Sequence, residues 1–295
     1  MAIPRIASYP LPRHRPENRT TWQLNPDKAV LLVHDMQLYF VNFYDPQAQP
    51  MYELVQNIQS LIKSAKAAGI PVIYTAQPAN QDPKARALLT DFWGAGLTEA
   101  YTAIHPTIAP SHDDKVYTKW RYSAFKRSSL LEDMKIQGRD QLLICGIYAH
   151  IGVLSTALDA FMYDIKAFVV ADAVADFSES EHHQALQYVA QRCGQVQLLE
   201  ETVHAMQTQP FANSPLTIEE IQSAIADVMG MDINDILLDE NLVYLGLDSI
   251  RVMILVDKWR GAGVDINLAD LAHCTTVTQW HKVIVQKASV GVCAA

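Results

Sequence analysis

The sequence predicts an α/β domain, built on a mostly parallel sheet with helices on both faces, followed by a small all-α helix bundle. Two observations support this division. Short apolar runs alternate with helical patterns over the first two thirds of the chain, whereas the last third contains only helical patterns. The chain has 295 residues, of which 49% are hydrophobic and 19% are charged, a composition typical of a globular protein. This length corresponds to about two domains.

The strand signals of the large region begin with residues 29–33, a continuous apolar run of the length that a strand buried on both faces requires. Apolar residues then recur at helical spacing between Met51 and Ala65, and Gly69 offers a C-cap. Strands that alternate with helices predict a three-layer, Rossmann-like arrangement with a parallel sheet. Further strands are predicted at residues 71–76, 115–118, 141–147, 167–171 and 195–199, and further helices at 152–164 and 181–192.

The small region shows a different pattern. Thr217 and Glu220 form the sequence pattern of a capping box at the start of one helix, and Ile218, Ile221 and Ile225 continue it at helical spacing. Two further helices are predicted to begin near Ser249 and Val277. The region is therefore predicted to be a bundle of three or four helices.

Charge and turn-forming residues locate the boundary between the two regions. Residues 213–295 contain five basic and eleven acidic residues, so this stretch carries −6 of the net charge of −9. A polar stretch with two prolines precedes it and is typical of a linker. The predicted organisation is a large domain at residues 1–207, a linker at 208–215 and a small domain at 216–290.

Composition also excludes several classes of function. With 23 basic against 32 acidic residues, the chain is not expected to bind nucleic acid. No apolar run approaches the ~18 residues that a membrane span needs, and the N-terminus lacks the apolar stretch of a secretion signal, so we expect a cytoplasmic protein. The cysteines are far apart and predict neither a disulfide framework nor a metal site; they are Cys145, Cys193, Cys274 and Cys293.

Polar side chains follow the predicted strands of the large region at the edge where a parallel sheet binds its ligands. Asp35 follows the first strand, Gln77 the second, Lys119 the third and Tyr148 the fourth. A lone aspartate at a strand end usually caps a helix or faces solvent, but four convergent strand ends favour a site. An acid beside a lysine is a plausible proton-transfer pair, because the lysine orients the carboxyl group and sets its protonation.

Five segments of the large region are informative: residues 34–37, 74–77, 91–97, 119–125 and 148–152. Together they closely resemble the isochorismatases, and the likeness spans nearly all of residues 1–207. The wider family includes nicotinamidases, which use an Asp–Lys–Cys triad whose cysteine begins the helix after the fourth strand. This sequence has Gly152 at that position, and Cys145 lies inside the strand as a buried small hydrophobe. Covalent acyl chemistry is therefore not expected.

The resemblance implies hydrolysis of the vinyl ether of isochorismate to 2,3-dihydro-2,3-dihydroxybenzoate and pyruvate. It implies that Asp35 is the general acid, which has to carry a proton near neutrality. Lys119 would hold the substrate or modulate Asp35. No catalytic role is assigned to His34 or His150, because a histidine beside an apolar run is usually a core residue. The implied substrate contacts are Gln77, Arg86, Tyr148 and Gly152, with Trp93 and Phe43 as candidate walls for the ring.

The segment Gly-Leu-Asp-Ser at residues 246–249 is the second informative motif. An isolated Asp-Ser pair at a helix start is usually an N-cap. However, the acidic bundle and the preceding residues 239–242 resemble acyl and peptidyl carrier proteins. That resemblance implies a 4′-phosphopantetheine group on Ser249, where the helix dipole favours the added negative charge. By the same resemblance, Asp248 helps hold the magnesium ion that is used during attachment.

The order of the two domains resembles that of the bifunctional isochorismatase/aryl carrier proteins of catechol siderophore biosynthesis, of the enterobactin and vibriobactin type. This resemblance implies four partners: isochorismate, a phosphopantetheinyl transferase, an enzyme that adenylates 2,3-dihydroxybenzoate, and a condensation domain of a nonribosomal peptide synthetase. It also implies association of chains through the large domain. The siderophore itself cannot be read from the sequence.

Three alternatives stay open at this point. A cysteine hydrolase acting on an amide is disfavoured by Gly152. A carrier fused to an inactive scaffold is disfavoured by the presence of Asp35, Gln77 and Lys119. The third alternative is a hydrolase of another chorismate-derived vinyl ether, such as the amino analogue used in phenazine synthesis.

Overall fold

The computed structural model describes residues 3–207, 216–261, 264, 266–272 and 274–291. The chain divides into two compact units, Met1–Thr208 and Gln209–Ala295. The predicted linker at 208–215 lies outside the described residues.

The large unit contains one parallel sheet, which confirms the predicted α/β class. Within the described residues its order is β3-β2-β1-β4-β5-β6, and each neighbouring pair is parallel. This order places β1 and β4 at the centre, where all their residues are buried. The strands are β1 (Ala29–His34), β2 (Val72–Ala76), β3 (Lys115–Thr118), β4 (Gln141–Ile147), β5 (Lys166–Ala175) and β6 (Gly194–Gln197).

Helices follow most of the strands. The helix after the fourth strand differs from the prediction, because it begins three residues earlier as a π-helical turn, Ala149–Val153, before α-helical geometry starts. The α-helices of this unit are α1 (Leu38–Val41), α2 (Met51–Ala67), α3 (Pro83–Arg86), α4 (Leu89–Trp93), α5 (Leu130–Ile136), α6 (Leu154–Met162), α7 (Glu179–Arg192) and α8 (Leu199–Gln207); short 3-10 turns lie at Glu99–Tyr101 and Pro106–Ile108.

The two faces of the sheet pack against separate apolar cores. Successive residues of a strand point to opposite faces, so Leu31 and Val33 of β1 join one core whereas Val30 and Leu32 join the other. The apolar side of α2 covers the first core, and α6 and α7 cover the second. Helices on both faces of the sheet give the predicted three layers.

The small unit is a helix bundle with its own core, as predicted. Thr217 and Glu220 form the predicted capping box, and the two later helices begin at Ser249 and Val277. Trp259 and Trp280 meet edge to face at 5.8 Å between ring centroids in this core. The helices are α9 (Ile218–Met229), α10 (Ser249–Gly261), α11 (Leu268–Leu271) and α12 (Val277–Gly291), with a 3-10 turn at Ile233–Asp235.

A search of the described residues for membrane spans found no helix that is both long and apolar enough to cross a bilayer. A search of the same residues for metal ligands found no group of three or more His, Cys, Asp or Glu side chains.

Candidate active site and carrier serine

The carboxyl ends of the central strands surround a cavity. Its position agrees with the rule that open α/β sheets bind ligands at this edge. The cavity brings together every large-domain residue that was named as catalytic or substrate-binding. Its lining is Ile3, Asp35, Tyr39, Phe40, Gln77, Arg86, Leu89, Trp93, Lys119, Tyr122, Ile147, Tyr148, Ile151, Gly152 and Phe177.

Asp35 is the first residue after β1 and turns sharply into the cavity. Its φ of 50° lies in the left-handed region, which aspartate tolerates better than most residues. One carboxylate oxygen accepts a hydrogen bond from the Lys119 ammonium group at 2.7 Å, and the other accepts one from the Thr75 hydroxyl at 2.7 Å. All three side chains are buried. The predicted Asp–Lys pair therefore exists as a close ion pair.

Thr75 is a contact that the sequence did not reveal. Its hydroxyl also accepts the backbone N–H of Asp35 at 3.1 Å, so the one side chain holds both the backbone and the carboxylate of that residue. The parallel pairing of β1 with β2 places Thr75 there. Inside the segment 74–77, Thr75 reads as an ordinary strand residue, because β-branched side chains are common in strands.

Arg86 is a buried cation in the cavity wall. Only 3% of its surface is exposed, and its Nε donates to the carbonyl of Gly94 at 2.6 Å. Gly96 lies so close that a Cβ atom there would be 2.6 Å from the guanidinium group. Among the described residues no carboxylate pairs with Arg86, and its burial lowers the pKa of the guanidinium group. Such a group favours an anionic ligand, because a buried charge is costly until it is paired.

Aromatic rings form flat walls around the cavity. The indole N–H of Trp93 donates to the hydroxyl of Tyr122 at 2.8 Å, and the Trp93 ring meets Phe177 edge to face at 6.1 Å. Phe177 also lies 4.5 Å from the ring of Tyr148. Phe43 was named as a candidate wall but more readily as a core aromatic, and it packs against Tyr39 and the core and does not line the cavity.

Tyr148 and Gln77 both line the cavity, but the fold constrains them differently. The Tyr148 hydroxyl donates to the backbone carbonyl of Phe40 at 2.9 Å, so its ring is the surface offered to a ligand. The peptide bond between Ile147 and Tyr148 is cis. Gln77 is held through its backbone by the side-chain amide of Gln37. The backbone N–H of Gln77 donates to Oε1 of Gln37 at 2.7 Å, and Nε2 of Gln37 donates to the backbone carbonyl of Gln77 at 2.9 Å.

The two positions relevant to a cysteine nucleophile differ in their surroundings. Gly152 lies in the π-helical turn and lines the cavity. Cys145 is fully buried in β4, where its thiol donates to the carbonyl of Leu32 at 3.4 Å and burial raises its pKa far above the usual range. A thiol in that state is inert, so Cys145 is a packing residue, as predicted.

His150 is not part of the cavity lining but fixes the turn that follows β4. Its backbone N–H and its Nδ1 atom both contact the carboxylate of the fully buried Asp176, at 2.6 and 2.5 Å. Burial by itself lowers the pKa of His150, but the hydrogen bond and charge of Asp176 outweigh it and raise the pKa above its usual value. Sequence reasoning did not identify Asp176 because this strand was predicted to end at residue 171, whereas β5 continues to Ala175 and Asp176 follows it directly.

In the small unit, Ser249 is exposed at the first turn of α10. The capping role falls to Asp248, whose carboxylate accepts the backbone N–H of Arg251 at 2.9 Å. The Arg251 guanidinium group binds the carbonyl of Gly246 at 2.8 Å and so closes the loop before the helix. Because Asp248 is the cap, the Ser249 hydroxyl is free for modification and fits a phosphopantetheine attachment point.

Comparison with known proteins identifies both units. The family model of the isochorismatase domain matches residues 29–201, and the model of the phosphopantetheine attachment site matches residues 219–283. The chain belongs to the isochorismatase family. It therefore combines a hydrolase domain of isochorismatase type with a carrier domain that bears phosphopantetheine, which confirms the predicted class of enzyme and the predicted cofactor.

Two curated relatives align with the chain over nearly its full length, across both units. The chain is 46% identical to an isochorismatase of Bacillus subtilis strain 168, over 97% of this chain and 96% of the relative. It is 43% identical to the enterobactin synthase component B of Escherichia coli strain K12, over 96% of this chain and 98% of the relative. A cysteine hydrolase from Pseudomonas syringae shares the fold of the large unit, with a TM-score of 0.60 at 23% identity, over 66% of this chain and 99% of that structure.

Proposed function

We propose that the large domain hydrolyses the vinyl ether of isochorismate to 2,3-dihydro-2,3-dihydroxybenzoate and pyruvate, with Asp35 as the general acid. We further propose that the small domain carries 2,3-dihydroxybenzoate as a thioester for siderophore assembly. The observation that carries the first proposal is the buried Asp35 carboxyl group, held by Lys119 and Thr75 inside a cavity with flat aromatic walls.

The reaction requires one proton transfer to carbon. Asp35 protonates the terminal methylene carbon of the vinyl ether, and the resulting oxocarbenium ion is attacked by water. The hemiketal that forms then collapses to pyruvate and the dihydroxy-dihydrobenzoate. The carboxyl group is suited to this step because Thr75 fixes both its backbone and one of its oxygens before the substrate arrives.

Binding of the substrate alters the charge around Asp35. In the free molecule Lys119 is paired with Asp35, and Arg86 has no carboxylate partner among the described residues. Isochorismate brings two carboxylates, one for each of these buried cations. When Lys119 turns toward a substrate carboxylate, Asp35 loses its cationic partner and faces added negative charge, and both changes favour its protonated form.

Water, rather than a protein side chain, is the nucleophile in this proposal. Position 152 carries no side chain, and Cys145 lies outside the cavity with its thiol bonded to Leu32. Among the described residues the cavity lining contains no Ser, Thr or Cys side chain that could attack the substrate. These features support an acid-catalysed hydrolysis over the covalent amide hydrolysis considered above.

The carrier role depends on the exposed hydroxyl of Ser249. The attached phosphopantetheine supplies a thiol that holds an acyl group as a thioester. Asp248 caps the helix and contributes a carboxylate next to the attachment point, where it helps hold the magnesium ion of the attachment reaction. The N-terminus of α10 favours the negative charge of the phosphodiester.

Several partners follow from this function. They are a phosphopantetheinyl transferase, an enzyme that adenylates 2,3-dihydroxybenzoate and a condensation domain of a nonribosomal peptide synthetase. The relative named for enterobactin synthesis supports a siderophore pathway. We place the reactions in the cytoplasm, where ATP and coenzyme A are available, and propose that the large domain self-associates.

The domain boundaries remain those predicted, with domains at residues 1–207 and 216–290 and a linker at 208–215. Limited proteolysis tests them, since cleavage in the linker should release two fragments that stay folded. Cleavage first inside either domain would contradict the boundaries.

The deciding experiment measures pyruvate release from isochorismate, coupled to lactate dehydrogenase, for the wild-type chain and for Asp35→Asn. We expect release by the wild type and a loss of about 10²–10⁴-fold in the variant, the usual contribution of a general acid. The amino analogue of the substrate is run in parallel. If the amino analogue is turned over faster than isochorismate, we would conclude that the analogue is the substrate. If neither compound releases pyruvate, we would conclude that the large domain is a scaffold.

A further inference from the structure

His34 and Gly152 lie in direct contact beneath the candidate acid. His34 is the last residue of β1 and is fully buried, and its ring fills the space in front of Gly152. A Cβ atom on Gly152 would overlap the Cε1 atom of the imidazole and would lie 2.9 Å from its Nε2 atom. Position 152 can therefore carry a side chain only if the imidazole ring moves.

A hydrogen bond holds the imidazole in this position. Its Nδ1 atom lies 2.8 Å from the carbonyl oxygen of Ile147, so Nδ1 carries a proton and donates it to that carbonyl. Burial lowers the pKa of His34 to about 4, which keeps the ring neutral near neutral pH. The backbone is held as well, because a Cβ atom on the neighbouring Gly146 of β4 would overlap the backbone oxygen of His34.

The ring also adjoins the acid. Asp35 follows His34 directly, and the Nδ1 atom of His34 lies 3.8 Å from the carboxylate oxygen that binds Lys119. The sharp turn at Asp35 starts from the backbone that the His34 ring anchors. A displaced imidazole would therefore carry the carboxyl group with it.

We infer that His34 is a positioning residue for Asp35, and that position 152 must be glycine because the imidazole of His34 occupies the space of its side chain. This inference rests on the proposed function for the role of Asp35. It makes His34 and Gly152 a coupled pair, so a substitution at one position should depend strongly on the residue at the other.

A double-mutant cycle tests the coupling. Gly152→Ala, His34→Asn and the double variant are compared with the wild type for kcat, KM and thermal unfolding. Asparagine keeps an N–H donor for the Ile147 carbonyl but is shorter than imidazole, so it frees the space in front of position 152. His34→Leu combined with Gly152→Ala is the matched control, because leucine keeps most of the volume and lacks the donor.

We expect Gly152→Ala to lower kcat by about 100-fold in the wild-type background, the cost of moving a catalytic group by roughly 1 Å. In the His34→Asn background the same substitution should lower kcat by no more than about threefold, since non-interacting sites add and coupled sites do not. In the His34→Leu background, Gly152→Ala should still cause the large loss in kcat. KM should change much less than kcat, because the proposed anions bind Lys119 and Arg86 rather than His34.

Equal losses in the wild-type and His34→Asn backgrounds would overturn the inference, since the new methyl group would then act on the substrate directly. If Gly152→Ala does not fold, recovery of folding in the double variant supports the steric pair, and failure of the double variant beside a folded His34→Asn overturns it. If the wild type releases no pyruvate, the proposed function fails separately. In that case the thermal unfolding data still test the contact between His34 and Gly152. Additive changes in unfolding temperature would overturn the inference, and restored stability in the double variant would support it.

Discussion

The two units hold the groups that we propose to be reactive in opposite ways. In the large unit, Asp35 is buried and fixed by Lys119 and Thr75, with a glycine and a buried histidine beneath it. In the small unit, Ser249 is exposed at the start of a helix, and its neighbour Asp248 caps that helix. The acid depends on side chains from several strands, whereas the serine depends on one local turn.

The difference reflects what each group has to do. A proton donor works when its position and surroundings are fixed before the substrate binds, and this requires burial and several partners. A carrier serine has to be reached by other proteins, so its hydroxyl must be accessible. We therefore expect substitutions around Asp35 to affect both stability and activity, and substitutions around Ser249 to affect modification with little change in stability.

The largest expected effect separates the units completely. Ser249→Ala should abolish phosphopantetheine attachment, because the accepting hydroxyl is gone, and should leave pyruvate release at the wild-type rate. Mass spectrometry after incubation with coenzyme A and a phosphopantetheinyl transferase measures the first result. Ser223→Ala, which removes another exposed hydroxyl of the small unit, is the control and should still be modified. Loss of pyruvate release in Ser249→Ala would show that the units are not independent.

The second effect concerns the buried ion pair. Lys119→Met leaves the Asp35 carboxylate buried without its cation, and we expect a loss of about 3–5 kcal/mol in the free energy of unfolding of the large unit. Lys115→Met is the matched control, since Lys115 begins the strand that Lys119 follows, is exposed and pairs with Asp133 at the surface. It should cost about 0–1 kcal/mol. Similar losses in denaturant-induced unfolding of the two variants would mean that burial of the first pair has no energetic consequence.

The third effect is a pH dependence confined to the large unit. The pKa of His150 is raised in the folded state by Asp176, so the protonated pair stabilises the fold. This contribution is fully present below the unfolded pKa of about 6.5 and is lost as the pH rises through the raised value. Thermal unfolding between mildly acidic and mildly basic pH should show the decline in the wild type. An equally steep decline in His150→Gln would assign it to other groups.

The smallest effect tests the two roles of Asp248. Asp248→Ala removes the helix cap and should destabilise the small unit by about 1 kcal/mol. Asp248→Asn keeps a capping oxygen, so its stability should stay within a few tenths of a kcal/mol of the wild type. Because asparagine lacks the charge, this variant should nevertheless be modified more slowly by the transferase at limiting magnesium. Unchanged modification kinetics in Asp248→Asn would exclude the proposed magnesium contact.

Local patterns in the sequence were sufficient for much of the fold. Short apolar runs mark the strands and a period of 3.6 residues marks the helices, and this predicted the α/β class, the helix bundle and the bounds of β3 and β4. The prediction for the helix after β4 was less accurate, because its first turn is π-helical. A period of 3.6 does not distinguish that turn from α-helix.

The sequence by itself also predicted that Asp35, Lys119 and Ser249 belong to the candidate sites, since each follows a strand or begins a helix. Only the tertiary structure decided what surrounds them. Lys119 lies 84 positions from Asp35 and meets it because β3, β2 and β1 are neighbours in the sheet. The sequence left open whether Phe43 lines the cavity or packs against the core, and the structure shows that it packs against the core.

The contact between His34 and Gly152 likewise depends on long-range packing. No local sequence pattern at either residue predicts the contact. The imidazole meets the glycine only when β1 and β4 are paired and the turn after β4 is formed. Sequence periodicity records which face of an element is apolar. Which side chain from a distant strand fills a given space is set by strand order and register, and those are properties of the folded chain.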